Sequence, residues 1–564
     1  MTSLAPLSRT LRTLADIAEI RGGFAEGTAL RSAAAAVEAL PRSEPDSLQP
    51  RSAHDRLDET PGLSDALRRR LRALAASGGD GEIAAAQAGL PRLLRRLLER
   101  RSITTDQAVT LVRHLGILTL ADLHAALDDG RVRQMGGAAL EAVLRESGDA
   151  FDEERRPIPL GRARDAVERL AAMIADACPA LDLVTAAGDV RRFEPLVSSL
   201  VIVSRASDPP RAIDALCAMT GVDDVLHRSG RRAILSIQNV QAEELDIRVA
   251  APDEYGTVLF ATTGSRAHVH AMQKRRGRPR LTSREEEIYA QTGLPLIAPE
   301  LRQGSGEIEA AATGALPALV SRHHIRGDLH MHTTYSDGAD VLDAMVAEAC
   351  TLGYEYIAIT DHSERAGAAR TLSRADLERQ REEIALIRGR YPQITILHGV
   401  EVDIMPNGQL DFPDDVLATL DLVLASLHDG AGQDGPTLTR RCLGAIRHPL
   451  VTIITHPANR LVGRREGYPM DYDAVYAAAA ETGTALEVDG APSHLDLDGE
   501  HARAAVAAGV TLTIDSDCHR TSVLARQMEL GLGTARRGWV EPRHVLNTRS
   551  LTDVRAFIAA KRGR

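Results

Sequence analysis

Three rhythms of apolar and polar positions run along the 564-residue chain. Near the start, Leu11, Leu14, Ile17 and Ile20 recur every three residues, and ALRRRLRALAASG and LPRLLRRLLERR repeat that spacing, which predicts short amphipathic helices. A charged, Pro-containing stretch, FDEERRPIPLGRARD (151 to 165), breaks the pattern. Beyond it LVSSLVIVS (196 to 204), RRAILSIQ (231 to 238) and LDIRVAA (245 to 251) read as β-strands. From about Ile325 onward, short β-rich runs (YIAIT, ITILHGVEV, LVLASL, VTIIT, ALEVDG, VTLTIDSD) alternate with helical patterns. That alternation predicts parallel strands in an α/β barrel. The expected organisation is therefore multidomain, α and α/β: a helical region over 1–155, a mixed α/β region over 156–315 and a barrel over 325–564, with 281 to 324 reading as a connector.

Composition narrows this picture. The length exceeds what one hydrophobic core organises, and 44% hydrophobic with 26% charged residues is ordinary for a soluble chain. A net charge of -11 gives no global attraction to nucleic acid, so DNA contact would need local basic patches such as Arg68 to Arg70 or QKRRGRPR (273 to 280). Five scattered cysteines without CxxC spacing point to free thiols in a reducing compartment. The N-terminus carries no apolar signal region and no run approaches 18 apolar residues, so neither a secretion signal nor a membrane span is expected, and the expected location is cytoplasmic.

The candidate chemistry lies at the strand ends of the third region. A lone HxH means little in a chain with 19 histidines, where about 0.6 such pairs arise by chance. His268 and His270 form one in the middle region with no acidic ligands around them, and they read as non-ligands. In GDLHMHTTYSDG, by contrast, His330 and His332 project to one face and Asp337 follows. His362 ends YIAITDH, Glu401 sits in ITILHGVEV, His428 ends LVLASLH, His456 ends VTIITH, and Asp517 and His519 end LTIDSDCH. In a parallel barrel these C-terminal strand ends converge on one mouth. Nine histidine and carboxylate ligands without thiolates suit two or three Zn²⁺, Mn²⁺ or Fe²⁺ ions better than Mg²⁺ or Ca²⁺. Such ions activate water for phosphate-ester hydrolysis, with Glu401, Asp517 and His428 as the residues expected to carry the catalysis. Arg464 and Arg465 are candidates to clamp the phosphate.

This set resembles the polymerase and histidinol phosphatase (PHP) domain family, a seven-stranded distorted (β/α) barrel with a trinuclear metal centre. The resemblance implies that Glu401 bridges two metals, one also held by His330, His332 and Asp517, the other by His428 and His456. A third would be held by Asp337, His362 and His519. Across nearly the whole chain the order of regions, with AAGDVRR (186 to 192), LDIRVAAPDEYGTVLFATTGSRAH (245 to 268) and TGLPLIAPELRQGSGEIEAA (292 to 311), resembles bacterial family X DNA polymerases. Those carry a helical DNA-binding region, a nucleotidyltransferase palm and a C-terminal PHP domain. The palm departs from the family pattern. Its Asp-x-Asp aligns with Ser199 and Val201, leaving only Asp246; its Gly-Ser reads Gly188 and Asp189; and the helix-hairpin-helix near residue 61 lacks its second glycine and lysine. The resemblance implies a DNA repair nuclease or phosphatase acting on gapped DNA, 3' ends or abasic sites, carried on a degenerate polymerase. The alternatives are a histidinol phosphatase-type enzyme of small molecules, a non-catalytic DNA-binding module, or an active gap-filling polymerase.

Overall fold

The computed structural model describes residues 5–39, 65–153, 156–238, 244–276, 280–366, 370–430 and 432–563. Up to residue 153 the described chain is helical. The periodic residues Leu11, Leu14, Ile17 and Ile20 are buried, and Leu11 and Leu14 share a core with Leu30 of the helix Phe24–Glu38 and with Leu71 and Leu74 of the helix Asp65–Ser77. Thr104 and Thr119 start the helices Thr105–Leu115 and Leu120–Asp128 with reciprocal capping boxes, each hydroxyl accepting from a first-turn amide. Of the helix-hairpin-helix expected near residue 61, Pro61 to Ser64 lie outside the described residues.

The middle region is built on a five-stranded sheet. Its strands are β2 (Leu183–Ala186), β4 (Leu200–Arg205), β5 (Val222–Arg228), β6 (Arg232–Ile237) and β7 (Leu245–Ala250), in the order β2-β4-β7-β6-β5. A separate two-stranded pair joins β1 (Ile158–Pro159) to β3 (Leu196–Val197), so the run LVSSLVIVS is two strands rather than one. β5 carries VDDVLHR and only part of it is buried, so it lacked the apolar pattern that marked its neighbours. The stretch 281 to 324 is also more than a connector. The short helices Glu285–Ala290 and Glu307–Thr313 bury Ile288, Tyr289 and Ile308 against Phe260 and Leu301, and helices of this length are too short to register a 3.6-residue period.

The C-terminal region is a seven-stranded parallel sheet in strict sequence order: β8 (Gly327–Asp328), β9 (Tyr356–Ile359), β10 (Thr395–Asp403), β11 (Leu422–Ser426), β12 (Ile453–Ile454), β13 (Ala485–Asp489) and β14 (Leu512–Asp515). A parallel bridge between Met331 and Cys518 joins the chain beyond β8 to the chain beyond β14, bringing the two edges together. β9, β11, β13 and β14 are buried at every position, as strands covered on both faces must be. Alternate residues divide between two cores. Ile357 and Ile359 face the surrounding helices, while Tyr356 and Ala358 face an interior shared with Leu397, Leu422, Ile453 and Ala485. Val554 and Ile558 of the final helix, Leu551–Arg562, plug that interior near the strand starts. The opposite ends, where the predicted ligands lie, stay free of this apolar fill.

Barrel and palm-like region pack directly. Gly533 faces the ring of Phe193 and Gly161 faces Pro492. Arg526 pairs with Asp165 at 3.1 Å and Glu168 at 2.7 Å, and Arg537 donates to the Arg192 carbonyl and to Glu194. Val462, Leu495 and Leu530 of the barrel complete the hydrophobic core of the middle region.

Candidate metal centre

Each predicted ligand sits at or just beyond a barrel strand. His330 and His332 follow β8 and are fully buried, with their Nε2 atoms 3.0 Å apart. His362 follows β9 and bridges in parallel to Glu401 of β10. His428, His456, and Asp517 with His519 follow β11, β12 and β14. His456 and Asp517 hold φ of 28° and 48°, left-handed values that non-glycine residues adopt only where the surroundings enforce them. Both outliers turn a side chain into the same space.

Glu401 stands at the centre. Its Oε2 faces His362 Nδ1 at 2.8 Å, His330 Nε2 at 3.5 Å and His332 Nε2 at 3.6 Å. Its Oε1 faces His456 Nε2 at 3.1 Å and His428 Nε2 at 3.6 Å. Asp517 Oδ1 lies 3.1 Å from His332 Nε2, and Asp337 Oδ1 lies 3.2 Å from His519 Nε2 and 3.6 Å from His362 Nε2. Three groups place one ligand atom from each member within 4.8 Å of the rest: His330, His332 and Asp517; His332, Asp337, His362 and His519; and His362, Glu401 and His428. His332 and His362 each stand in two of these groups, while His456 and His428 share the other Glu401 oxygen.

The donor set fits divalent ions. His332 Nδ1 and His456 Nδ1 are buried without hydrogen-bond partners, a cost that buried polar atoms rarely carry unless something else binds them. Electrostatics point the same way. Burial, with the charges of His362 and His519, pushes His332 down to about 3. Burial opposes charge on His519 as well, but the hydrogen bond the ring donates to Asp337 overturns it and lifts that ring to about 9. A site that interleaves imidazoles with carboxylates at these spacings is arranged to surround cations.

A supporting layer escaped the sequence reading. Glu487 of β13 accepts from His330 Nδ1 at 2.7 Å, from the His456 amide at 2.8 Å and from the Thr455 hydroxyl. Asp403 of β10 lies 3.2 Å from His428 Nδ1. Both fix ring orientation from behind. The only signal was an acid inside a run otherwise apolar enough to be buried. Cys518, between two predicted ligands, turns into the core.

Arg464 and Arg465 lie on the hairpin Leu461–Arg465, whose Gly463 approaches Leu196 of the palm-like region. Arg465 donates to the Asn459 carbonyl at 2.7 Å and to its Oδ1 at 2.9 Å, and Asn459 in turn donates to Leu427, the residue before His428. Arg465 is thereby committed to holding this turn. Arg464 is exposed.

In the middle region, a cleft of about 850 Å³ is lined by Ser199, Val201, Asp246, Arg232, Arg248 and Asp122 among others. Val201 is the register partner of Asp246 across the parallel β4–β7 pair, so the position where the family pattern expects an acid holds an isopropyl group. Asp246 accepts two bonds from Arg232, at 2.9 and 2.8 Å, and two from Arg248, at 3.3 and 3.1 Å. Asp122, from the helix Leu120–Asp128, meets the same two guanidinium groups. Asp189 accepts from Arg192 and the Ser198 amide. Arg191 and Arg192, the basic pair that closes AAGDVRR, are turned inward onto Thr263, Glu285 and Asp189. Of the basic run, Gln273, Lys274 and Arg275 are exposed, and 277 to 279 lie outside the described residues. His268 is buried between Glu307 and Tyr289, a satisfied core histidine as its sequence context predicted.

Residues 328–472 match the PHP domain family. The chain is 32% identical to the DNA polymerase/3'-5' exonuclease PolX of Bacillus subtilis (strain 168), over 98% of each chain. It is also 32% identical to a probable phosphatase of Thermoanaerobacter sp. (strain X514), over 39% of this chain and 89% of that one. A crystal structure of histidinol phosphate phosphatase from Lactococcus lactis, complexed with zinc, L-histidinol and phosphate, covers 38% of this chain and 93% of its own at 19% identity and a TM-score of 0.31. Among the described residues no helix is long and apolar enough to cross a membrane. With a relative alike from end to end, the same order of regions and a PHP match on the barrel, the chain belongs to the bacterial family X DNA polymerases that carry a C-terminal PHP domain.

Proposed function

We propose that this chain is a metal-dependent phosphoesterase of DNA repair, removing nucleotides or phosphate at 3' ends and at gapped or abasic sites, on a polymerase scaffold that no longer polymerises. The observation that carries the reading is Glu401, whose two oxygens face separate groups of imidazoles inside a mouth ringed by Asp337, Asp517 and six histidines. His330, His332, Asp337, His362, Glu401, His428, His456, Asp517 and His519 would hold two or three ions, with Mn²⁺ or Zn²⁺ best suited to the donors and Fe²⁺ compatible with them. Bound there, such ions supply Lewis-acid activation of water and neutralise charge on the phosphate. Glu401, Asp517 and His428 line the mouth where the phosphorus would sit. Glu487 and Asp403 keep His330 and His428 aimed. Exposed Arg464 would receive the phosphate backbone, while Arg465 holds the turn. DNA as substrate rests on the full-length likeness to a polymerase and exonuclease.

The test offers end-labelled single-stranded, gapped and abasic DNA in Mn²⁺, with histidinol phosphate alongside. Shortening of DNA from its 3' end that stops in chelator and in a His330→Ala, His332→Ala double variant is expected. Preferential turnover of histidinol phosphate would replace DNA with a small-molecule substrate. Hydrolysis surviving in the double variant would sink the metal-centre assignment.

A further inference from the structure

β13 ends at Asp489, one strand turn from Glu487, and the loop beyond it carries His494. Neither belongs to the nine-residue set, yet one ligand atom from each of Asp489, His494 and Asp517 lies within 4.8 Å of the other two. Asp489 is fully buried. One carboxylate oxygen, Oδ1, accepts from the Ala491 amide at 2.5 Å, whereas Oδ2 is buried with no partner. His494 Nδ1 stands 3.0 Å from the carbonyl oxygen of Arg460. A carbonyl only accepts, so Nδ1 carries a proton and Nε2 is the nitrogen left to face a ligand. The ring stacks on the predicted ligand His456, centroids 5.2 Å apart at 23°. Among the described residues no hydrogen bond joins His494 to either carboxylate.

Three side chains able to ligate a cation therefore face one another across a gap, one of them a carboxylate with an oxygen buried and unsatisfied. Such a grouping is stable when a cation occupies its centre. Two ligands bonded at about 2.1 Å to one ion stand roughly 3.4 to 4.2 Å apart, so small side-chain rotations close the observed spread. We propose that Asp489, His494 and Asp517 form a further divalent-cation site beside the nine-residue centre, sharing Asp517 with it. This rests on the proposed metal-dependent function. A mixed nitrogen and carboxylate set suits Zn²⁺, Mn²⁺ or Co²⁺.

The loop that presents this site is held by the polymerase-like half. Pro492 lies against Gly161, where an added Cβ would meet it at 2.5 Å, and Leu495 is fully buried in the core of the middle region. Arg460 clasps the loop from the barrel side, donating to the His494 and Leu495 carbonyls at 2.8 and 2.6 Å. The palm thereby fixes the ring that completes the site.

The experiment counts metal on the full-length chain. Chelator-stripped protein is dialysed against Co²⁺ and the equivalents retained are measured by elemental analysis for the parent, Asp489→Asn, His494→Ala and the His330→Ala, His332→Ala pair. Asp489→Asn keeps the shape of the buried side chain and guards against misfolding as an explanation. Loss of one equivalent in both Asp489→Asn and His494→Ala, with the others retained, is the expected result. Equal equivalents and affinity in parent and both variants would overturn the inference and leave the proposed function standing. A parent chain that binds no metal would overturn both.

Discussion

Asp122 shows how one side chain joins two regions of the molecule. Burial works against its charge, but Arg232 and Arg248 hold its carboxyl well below the usual carboxylate range, and burial of Asp246 is offset by the same pair. Removing one partner of a buried ion cluster strands the others, at a cost of about 3 kcal/mol. Asp122→Asn should lower the denaturation midpoint accordingly, and an unchanged midpoint would show the cluster to be energetically idle. The pH dependence has a definite sign. Because both carboxyls are depressed in the folded chain, their stabilisation is present above the ordinary aspartate value of about 3.9 and lost as pH falls below it. Acid destabilisation below about pH 4 should be shallower in Asp122→Asn than in the parent. At the metal centre, Glu487 fixes His330 through its Nδ1. Glu487→Gln should weaken metal retention roughly 10- to 100-fold in competition with a chelator, and undiminished retention would deny it that orienting role.

At the scale of elements, the helix Leu524–Arg537 is the strut between barrel and palm-like region. A Cβ on its Gly533 would stand 1.8 Å from the ring of Phe193, a residue itself held at a φ of 56°. Gly533→Ala should therefore displace that ring and lower the melting temperature, equivalent to about 1 to 3 kcal/mol of overpacking. A melting curve superimposable on the parent's would mean the contact yields freely. The barrel was legible because its strands are buried on both faces and read as largely apolar runs, most of them followed by a polar ligand type. The nine convergent side chains follow from that alternation alone. Glu487 and Asp403 were not legible, since an acid inside a buried strand looks the same whether it orients a ligand or forms a core pair. The roles of Arg192, Arg232 and Arg465 were equally hidden. Arg232 meets Asp122 across 110 positions, and no local pattern encodes which distant carboxylate takes a given guanidinium. The helices within 281 to 324 are simply shorter than the window of about 11 residues over which a helical period registers.

For the whole molecule the decisive question is whether the palm still extends DNA. Phosphoryl transfer to a 3' hydroxyl needs two metal ions bridged by carboxylates, to activate the hydroxyl and to hold the triphosphate. Asp246 occupies the right strand, but its oxygens are taken by Arg232 and Arg248. Its register partner is Val201, and the stretch from Leu196 to Ser204 contains no acid. Asp122 adds a carboxylate at this spot, and it arrives from the helical region to share the same two guanidinium groups rather than to leave a free anionic pair. Two fixed cations between two carboxylates neutralise the charge that would draw Mg²⁺ and fill the space between them. In line with the proposed function, we propose that the cleft guides DNA and does not polymerise it. A one-nucleotide gapped duplex with all four triphosphates should remain unextended in Mg²⁺ and in Mn²⁺, while the same preparation degrades 3' ends in Mn²⁺. Template-directed incorporation that disappears in Asp246→Ala would show that the arginines yield to metal and that the palm is active. Incorporation that persists in Asp246→Ala would place polymerisation at carboxylates elsewhere in the chain.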